Sequence, residues 1–249
     1  MATTADLDGR RVLVVGASSG IGREVAVQAG RAGARVAVAA RRLDRLEELA
    51  GALDDAVTIG CDVRDPAACR SVVARTVDAF DGLDALVYVA GTAPLVPLAE
   101  ATAEQWAATL ETNLVGAALV AAAAAPHLEA SQGRAVFVSS QATRRPYPGI
   151  GLYSTSKVAL DGFIVALRAE HPELDVTRVT MGNVGGTEFA DAWEPAALEQ
   201  AMEVWTETGA MPSASMMPVH DAAEAILTVL AVEAHIDDLA VIERPSDAQ

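Results

Sequence analysis

Between Arg11 and Arg31 the chain passes from a short apolar stretch through Gly16-Ala-Ser-Ser-Gly-Ile-Gly22 into an amphipathic segment. A buried strand, a glycine-rich turn and a helix in that order leave few architectures open. Glycines permit a tight turn whose backbone comes close to a ligand, while free amides at the positive end of a helix suit a pyrophosphate. Gly16, Ser18, Ser19, Gly20, Ile21 and Gly22 are therefore candidate nucleotide contacts. A lone glycine motif can also be an ordinary turn, so its context matters.

That context is a regular alternation. Strands are expected at residues 11–15, 35–39, 56–60, 84–89, 134–138, 175–180 and 239–243, with helices near 43–52, 66–80, 103–125, 152–169 and 221–234. Alternation of this kind implies an α/β fold with a parallel, doubly wound sheet of about seven strands flanked by helices. No repeat or linker interrupts it, so residues 1–249 read as one Rossmann-like domain. With 51% hydrophobic but only 4% aromatic residues, the core must be built from Ala, Val, Leu and Ile.

Ligands in such sheets lie outside the carboxyl ends of the strands. The second strand ends at Ala40-Arg41-Arg42, where the NAD version of the architecture carries an acidic residue for the adenosine ribose. Alanine cannot serve that way, and Arg41 and Arg42 can meet a 2′-phosphate, which favours NADP(H) over NAD(H). Capping of the next helix is the plainer reading of these arginines. Asp62 and Val63 follow the third strand, within reach of an adenine, unless Asp62 simply starts a turn.

Tyr153 and Lys157 are four residues apart in a helical segment, which stacks them on one face about 5–6 Å apart. An ammonium at that distance favours the phenolate by roughly 3–4 kcal/mol, a fall on the order of 2–3 pKa units. Such a tyrosine is an acid-base candidate, although this spacing also occurs in solvated surface pairs.

The formal charge of −16 excludes a nucleic-acid or anionic-membrane partner. Cys61 and Cys69 lack a redox or metal spacing and are expected reduced and buried, and the four histidines are scattered, so no metal is expected. The first ten residues show no secretory signal, and the apolar run 113–126 is too short for a membrane span, which points to a soluble, cytoplasmic protein.

On Gly16-x-x-x-Gly20-x-Gly22, Asp62-Val63, Ala90-Gly91, Asn113, Ser140 and Tyr153-x-x-x-Lys157, in that order, the chain resembles the short-chain dehydrogenase/reductase family over essentially its whole length. The resemblance implies hydride transfer between a nicotinamide cofactor and a small carbonyl or alcohol compound. It assigns Ser140 to the substrate oxygen and Tyr153 to proton transfer. Lys157 lowers the tyrosine pKa and, with Tyr153, meets the nicotinamide ribose, while Asn113 holds a water. Ser139 is set aside because strand alternation points it elsewhere. Ala90, Gly91, Val184 and Thr187 complete the implied cofactor contacts, and Gln141, Ala142, Thr143 and Tyr147 line one wall of the substrate site.

Departures from the family pattern carry their own expectations. Val15 stands before the first glycine and Tyr88-Val89 before Ala90-Gly91, where the family places threonine and asparagine that hydrogen-bond to each other. Replacing both partners with apolar groups can be nearly neutral, so Val15 and Val89 are expected to pack together. The usual Pro-Gly is Met181-Gly182, and Thr187 falls one residue late. Residues 188–217 are expected to cover the substrate, and their Met202, Met211, Met216, Met217, Trp193 and Trp205 suit an apolar, bulky ketone or alcohol, or else merely pack the lid. The family pairs through the helices that here carry Asn113 and Lys157, giving a homodimer or homotetramer. An NAD-dependent oxidative dehydrogenase and a non-catalytic nucleotide sensor stay open as alternatives.

Overall fold

In the computed structural model, which describes residues 5–210 and 215–244, β1 (Arg11–Val15) runs through the centre of the sheet. Val12, Leu13, Val14 and Val15 are all fully buried, because both faces of the strand are covered. The other strands of this sheet are β2 (Arg35–Ala40), β3 (Ala56–Gly60), β4 (Ala85–Tyr88), β5 (Arg134–Ser140), β6 (Asp175–Met181) and β7 (Asp238–Val241), and a separate short parallel pair joins Val184–Gly185 to Met217–Pro218. They form one parallel sheet in the order β3-β2-β1-β4-β5-β6-β7. The order reverses between β1 and β4, where the strand ends open a crevice.

Helices α1 (Gly20–Arg31), α2 (Leu43–Ala50) and α8 (Val219–Ala231) pack their apolar residues on one face with Val12, Val14 and Val36. On the other face α3 (Pro66–Phe80), α5 (Gly116–Ser131) and α6 (Gly151–Glu170) meet Leu13, Val15 and Phe137. The start of α3 is fixed by Asp65, whose side chain accepts from Ala67 N, and by Pro66 in the first turn. This is the doubly wound Rossmann-like sheet that the alternation of elements implied.

Three expectations need correction. The helix expected at 103–125 is α4 (Ala103–Leu110), a π-helical turn (Glu111–Val115) and α5, which continues through Pro126 to Ser131. By length and apolarity the whole 29-residue run could cross a membrane, contrary to the shorter estimate from sequence, but its Ala117, Val120, Ala124 and Leu128 are buried in the core. Val15 and Val89 do not pair: Val15 belongs to the core under α3, α5 and α6, and Val89 packs against the opposite one. Their strand ends are tied through the backbone instead, Val89 N and Ala90 N both donating to Val15 O at 2.9 and 3.0 Å. The lid segment carries the helix α7 (Pro195–Glu207), and Met211 lies outside the described residues.

Candidate active site

A cleft of about 1130 Å³ opens along the carboxyl ends of β1, β2, β4, β5 and β6. That exceeds the roughly 300–1,000 Å³ of a pocket for one small ligand and leaves room for a dinucleotide beside a substrate. Gly16 turns the chain at φ +101, and a Cβ there would lie 2.6 Å from Ala90 N, so only glycine keeps this end open. At the start of α1 the N-cap Ser19 makes no side-chain cap bond, which leaves the first-turn amides available to an anion. Gly20, Ile21, Ala90 and Gly91 line the same wall, and Thr187 packs against Gly20, a Cβ there coming 3.3 Å from its side chain. Gly22 sits behind the turn, against Gly16 O.

The two arginines differ. Arg41 is exposed on the rim and makes no hydrogen bond or salt bridge among the described residues. Arg42 is engaged: it donates to Ser18 Oγ at 2.9 Å, to Ser19 Oγ at 3.0 Å and to Glu188 at 2.7 Å. Arg45 also binds Glu188, and these partners hold that carboxyl down at about 2. Sequence reasoning missed Glu188, because it is 146 positions from Arg42. Asp62 and Val63 line the cleft, but the Asp62 carboxylate is taken by Arg64 at 2.7 Å and its pKa is drawn down to about 2.

At the other end, β5 delivers Ser140 and the first two turns of α6 deliver Tyr153 and Lys157. The Ser140 hydroxyl accepts from Ala142 N and hydrogen-bonds the Tyr153 phenol. Lys157 Nζ lies 5.8 Å from the Tyr153 ring centre and donates to Val138 O at 2.7 Å. The phenol is not the acidic one expected. Burial pushes Tyr153 up to about 12, with Ser140 opposing, and burial also pushes Lys157 down to about 8, with Asp161 opposing. A dry site costs the phenolate more than the Ser140 hydroxyl returns, and it disfavours the ammonium as well.

Asn113 lies in the π-helical turn, fully buried, and spends its amide on Thr92 N, Thr92 O and Ser156 Oγ at 2.8–2.9 Å. Its side chain therefore braces the loop after β4 against α6, one residue before Lys157. Ser139 is buried with no partner for its Oγ among the described residues.

The substrate end is aromatic. Tyr153, Phe189, Trp193, Trp205 and Tyr147 follow one another with ring centres 5.2, 5.5, 6.2 and 5.3 Å apart. Trp193 Nε1 donates to Ala93 O and Trp205 Nε1 to Pro148 O, so the lid is stitched to both walls. Ala142 and Tyr147 stand on the wall assigned to them, with Val184 and Thr187 across the cleft, whereas Gln141 and Thr143 do not line it and Gln141 instead donates to the Tyr147 hydroxyl from behind. Sequence reasoning missed Phe189, Asn183 and Glu243. The last is at the end of β7, where the rule of strand ends applies as well as it does to Ser140.

A model of the short chain dehydrogenase family matches residues 10–198. The chain is 32% identical to glycine betaine reductase ATRR of Emericella nidulans over 97% of this chain and 19% of that protein. It is 37% identical to 11-beta-hydroxysteroid dehydrogenase A of Sesamum indicum over 71% of this chain and 53% of that one. The chain thus spans about half the length, or less, of these curated relatives. Among solved structures, a short chain dehydrogenase from Burkholderia cenocepacia J2315 in complex with NADP superposes with a TM-score of 0.82 at 31% identity, covering 95% of this chain and 97% of that one. An alcohol dehydrogenase from Thermococcus sibiricus shares the fold, with a TM-score of 0.83 at 22% identity over 96% and 99%.

Proposed function

The chain belongs to the short chain dehydrogenase family, and from that premise we propose that it is an NADP(H)-dependent oxidoreductase interconverting a ketone or aldehyde and its alcohol, with Tyr153 as acid and base. The observation that carries this reading is the convergence of the Ser140 and Tyr153 hydroxyls beside Lys157 at one end of a dinucleotide-sized cleft. When bound, the nicotinamide supplies or accepts hydride.

The chain's own groups account for the rest. Gly16, Ser18, Ser19 and the first turn of α1 at Gly20, Ile21 and Gly22 hold the diphosphate. Arg41 and Arg42 take the 2′-phosphate, Asp62 and Val63 the adenine, Ala90 and Gly91 the passage between, and Val184 and Thr187 the nicotinamide. During reduction a carbonyl oxygen gains negative charge, which both hydroxyls can meet with hydrogen bonds. A phenol raised to about 12 stays protonated at neutral pH and so stands ready to donate. Lys157 keeps a positive charge close by as the phenolate forms, and Asn113 fixes the backbone on which it stands. Val158 and Val165, 52% and 59% exposed on α6, support pairing of copies through that helix.

The cofactor preference is testable directly. NADPH is expected to bind at least about tenfold more tightly than NADH, and Arg41→Ala to remove most of that difference, since one charge-assisted contact is worth roughly 1.5–3 kcal/mol. Calorimetric titration measures both. Equal affinities in the wild type would favour the NAD(H) alternative, which gains support from the hold of Glu188 on Arg42 and Arg45.

The names of the two relatives, a glycine betaine reductase and an 11-beta-hydroxysteroid dehydrogenase, point to chemically unlike compounds. One is a quaternary ammonium compound and the other a steroid. The reaction class therefore transfers more readily than the substrate.

A further inference from the structure

In a chain with only three Trp, three Tyr and four Phe, four of these rings, Phe189, Trp193, Trp205 and Tyr147, run on from Tyr153 as one connected wall, apart from the core chain of Tyr88, Phe137 and Phe163. Such concentration in an aromatic-poor protein marks the place where rings are needed. Both indole N–H groups are turned outward to backbone carbonyls, so the tryptophans contribute their carbon surface and not donors to the chamber. The Tyr147 hydroxyl is also committed, accepting from Gln141 and donating to Asn183 Oδ1 at 3.1 and 3.2 Å.

Beneath this wall lies a carboxylate. Glu243 accepts from Asn183 N at 2.8 Å, from Asn183 Nδ2 at 2.9 Å and from Gln141 Nε2 at 3.3 Å, and no cation pairs with it among the described residues. Gly182 lines the chamber, and a Cβ there would come 2.2 Å from Glu243 Oε2, so the missing side chain lets the carboxylate pack directly behind the lining. Asp191 adds a second negative charge on the lid side. Among the described residues lining this end the one cation is Lys157, whose ammonium is directed at Val138 O, and Arg145 acts on Tyr147 from outside the lining.

Rings with electron-rich faces and unneutralised carboxylates attract a cation wrapped in apolar groups and repel an anion. We propose that the chamber selects a carbonyl compound, or its alcohol, that bears a quaternary ammonium group, the rings enclosing its methyls and Glu243 supplying charge from below. Gln141 and Asn183 hold Glu243 in place, and through Tyr147 they fix the ring nearest to it. The inference rests on the reductase reading of the same site.

The test compares a trimethylammonium-substituted aldehyde with its neutral tert-butyl isostere as substrates of the full chain with NADPH, and measures binding of tetramethylammonium and of tert-butanol by calorimetry. The expected result is a kcat/KM at least about tenfold higher for the cation, saturable binding of tetramethylammonium but not of the neutral alcohol, and a preference cut several-fold by both Glu243→Gln and Trp193→Leu. Equal or better turnover of the isostere overturns the inference and leaves the reductase reading standing. If neither aldehyde reacts, binding decides: saturable tetramethylammonium binding weakened by Glu243→Gln keeps the inference while the reductase reading falls, and no such binding overturns it.

Discussion

Tyr153→Phe is expected to lower kcat for carbonyl reduction by about 10³-fold, within the range for loss of a positioned general acid, while the dissociation constant for NADPH changes by less than about tenfold. The ring of Tyr153 is packed edge-on against Phe189 with centres 5.2 Å apart, and phenylalanine keeps that packing. Only the hydroxyl shared with Ser140 is removed. This phenol is a weaker acid than free tyrosine, because burial outweighs the opposing hydroxyl of Ser140. Its use in reduction does not require an acidic phenol at rest. It requires a proton present at neutral pH and an oxygen that grows basic as hydride arrives. A Phe variant with more than about a tenth of wild-type turnover would show that another group supplies the proton.

Gly16→Ala is the second large effect. At φ +101 a side chain is strained, and its Cβ would meet Ala90 N at 2.6 Å, Ala90 Cα at 2.8 Å and Val89 C at 3.1 Å. All three are backbone atoms of the neighbouring strand end, which is tied to Val15 O by two hydrogen bonds and cannot withdraw cheaply. Overpacking of this kind costs about 1–3 kcal/mol of stability. NADPH affinity is expected to fall more than about tenfold, since each 1.4 kcal/mol is a factor of ten and the turn and the Ala90-Gly91 wall are forced apart together. Thermal unfolding and calorimetric titration report the two effects separately. Unchanged values for both would mean that the turn is not a phosphate cradle.

Much of the fold was legible because each strand is a contiguous apolar run and each helix keeps its own period. The strands of the sheet lie within about two residues of the sequence expectation, as at β1 (Arg11–Val15) and β3 (Ala56–Gly60). The π-helical turn at Glu111–Val115 was not legible, because its residues are ordinary helix formers and the extra residue is absorbed by packing around buried Asn113. Pro126 misled for a related reason: a helix held along its length by a buried face tolerates one missing amide.

At the site, local spacing placed Ser140, Tyr153 and Lys157, since a strand end and one helical turn are both short-range patterns. What joins distant segments left no trace. Glu188 reaches Arg42 from 146 positions away, and Glu243 reaches Asn183 from 60 and Gln141 from 102. The pairing of Val15 with Val89 failed because adjacent strand ends were matched by sequence role, whereas strand alternation sends the two side chains to opposite cores.

The most direct test of the central claim uses NADPH carrying deuterium at the transferable position of the nicotinamide, with an aldehyde or ketone that the wild type reduces. The product alcohol is then analysed by mass spectrometry and NMR. Deuterium on the carbinol carbon, in step with cofactor consumed and nearly absent with Tyr153→Phe, is the result predicted for hydride transfer assisted by that phenol. Cofactor consumed without label in the alcohol, or full labelling by the Phe variant at the wild-type rate, would contradict it.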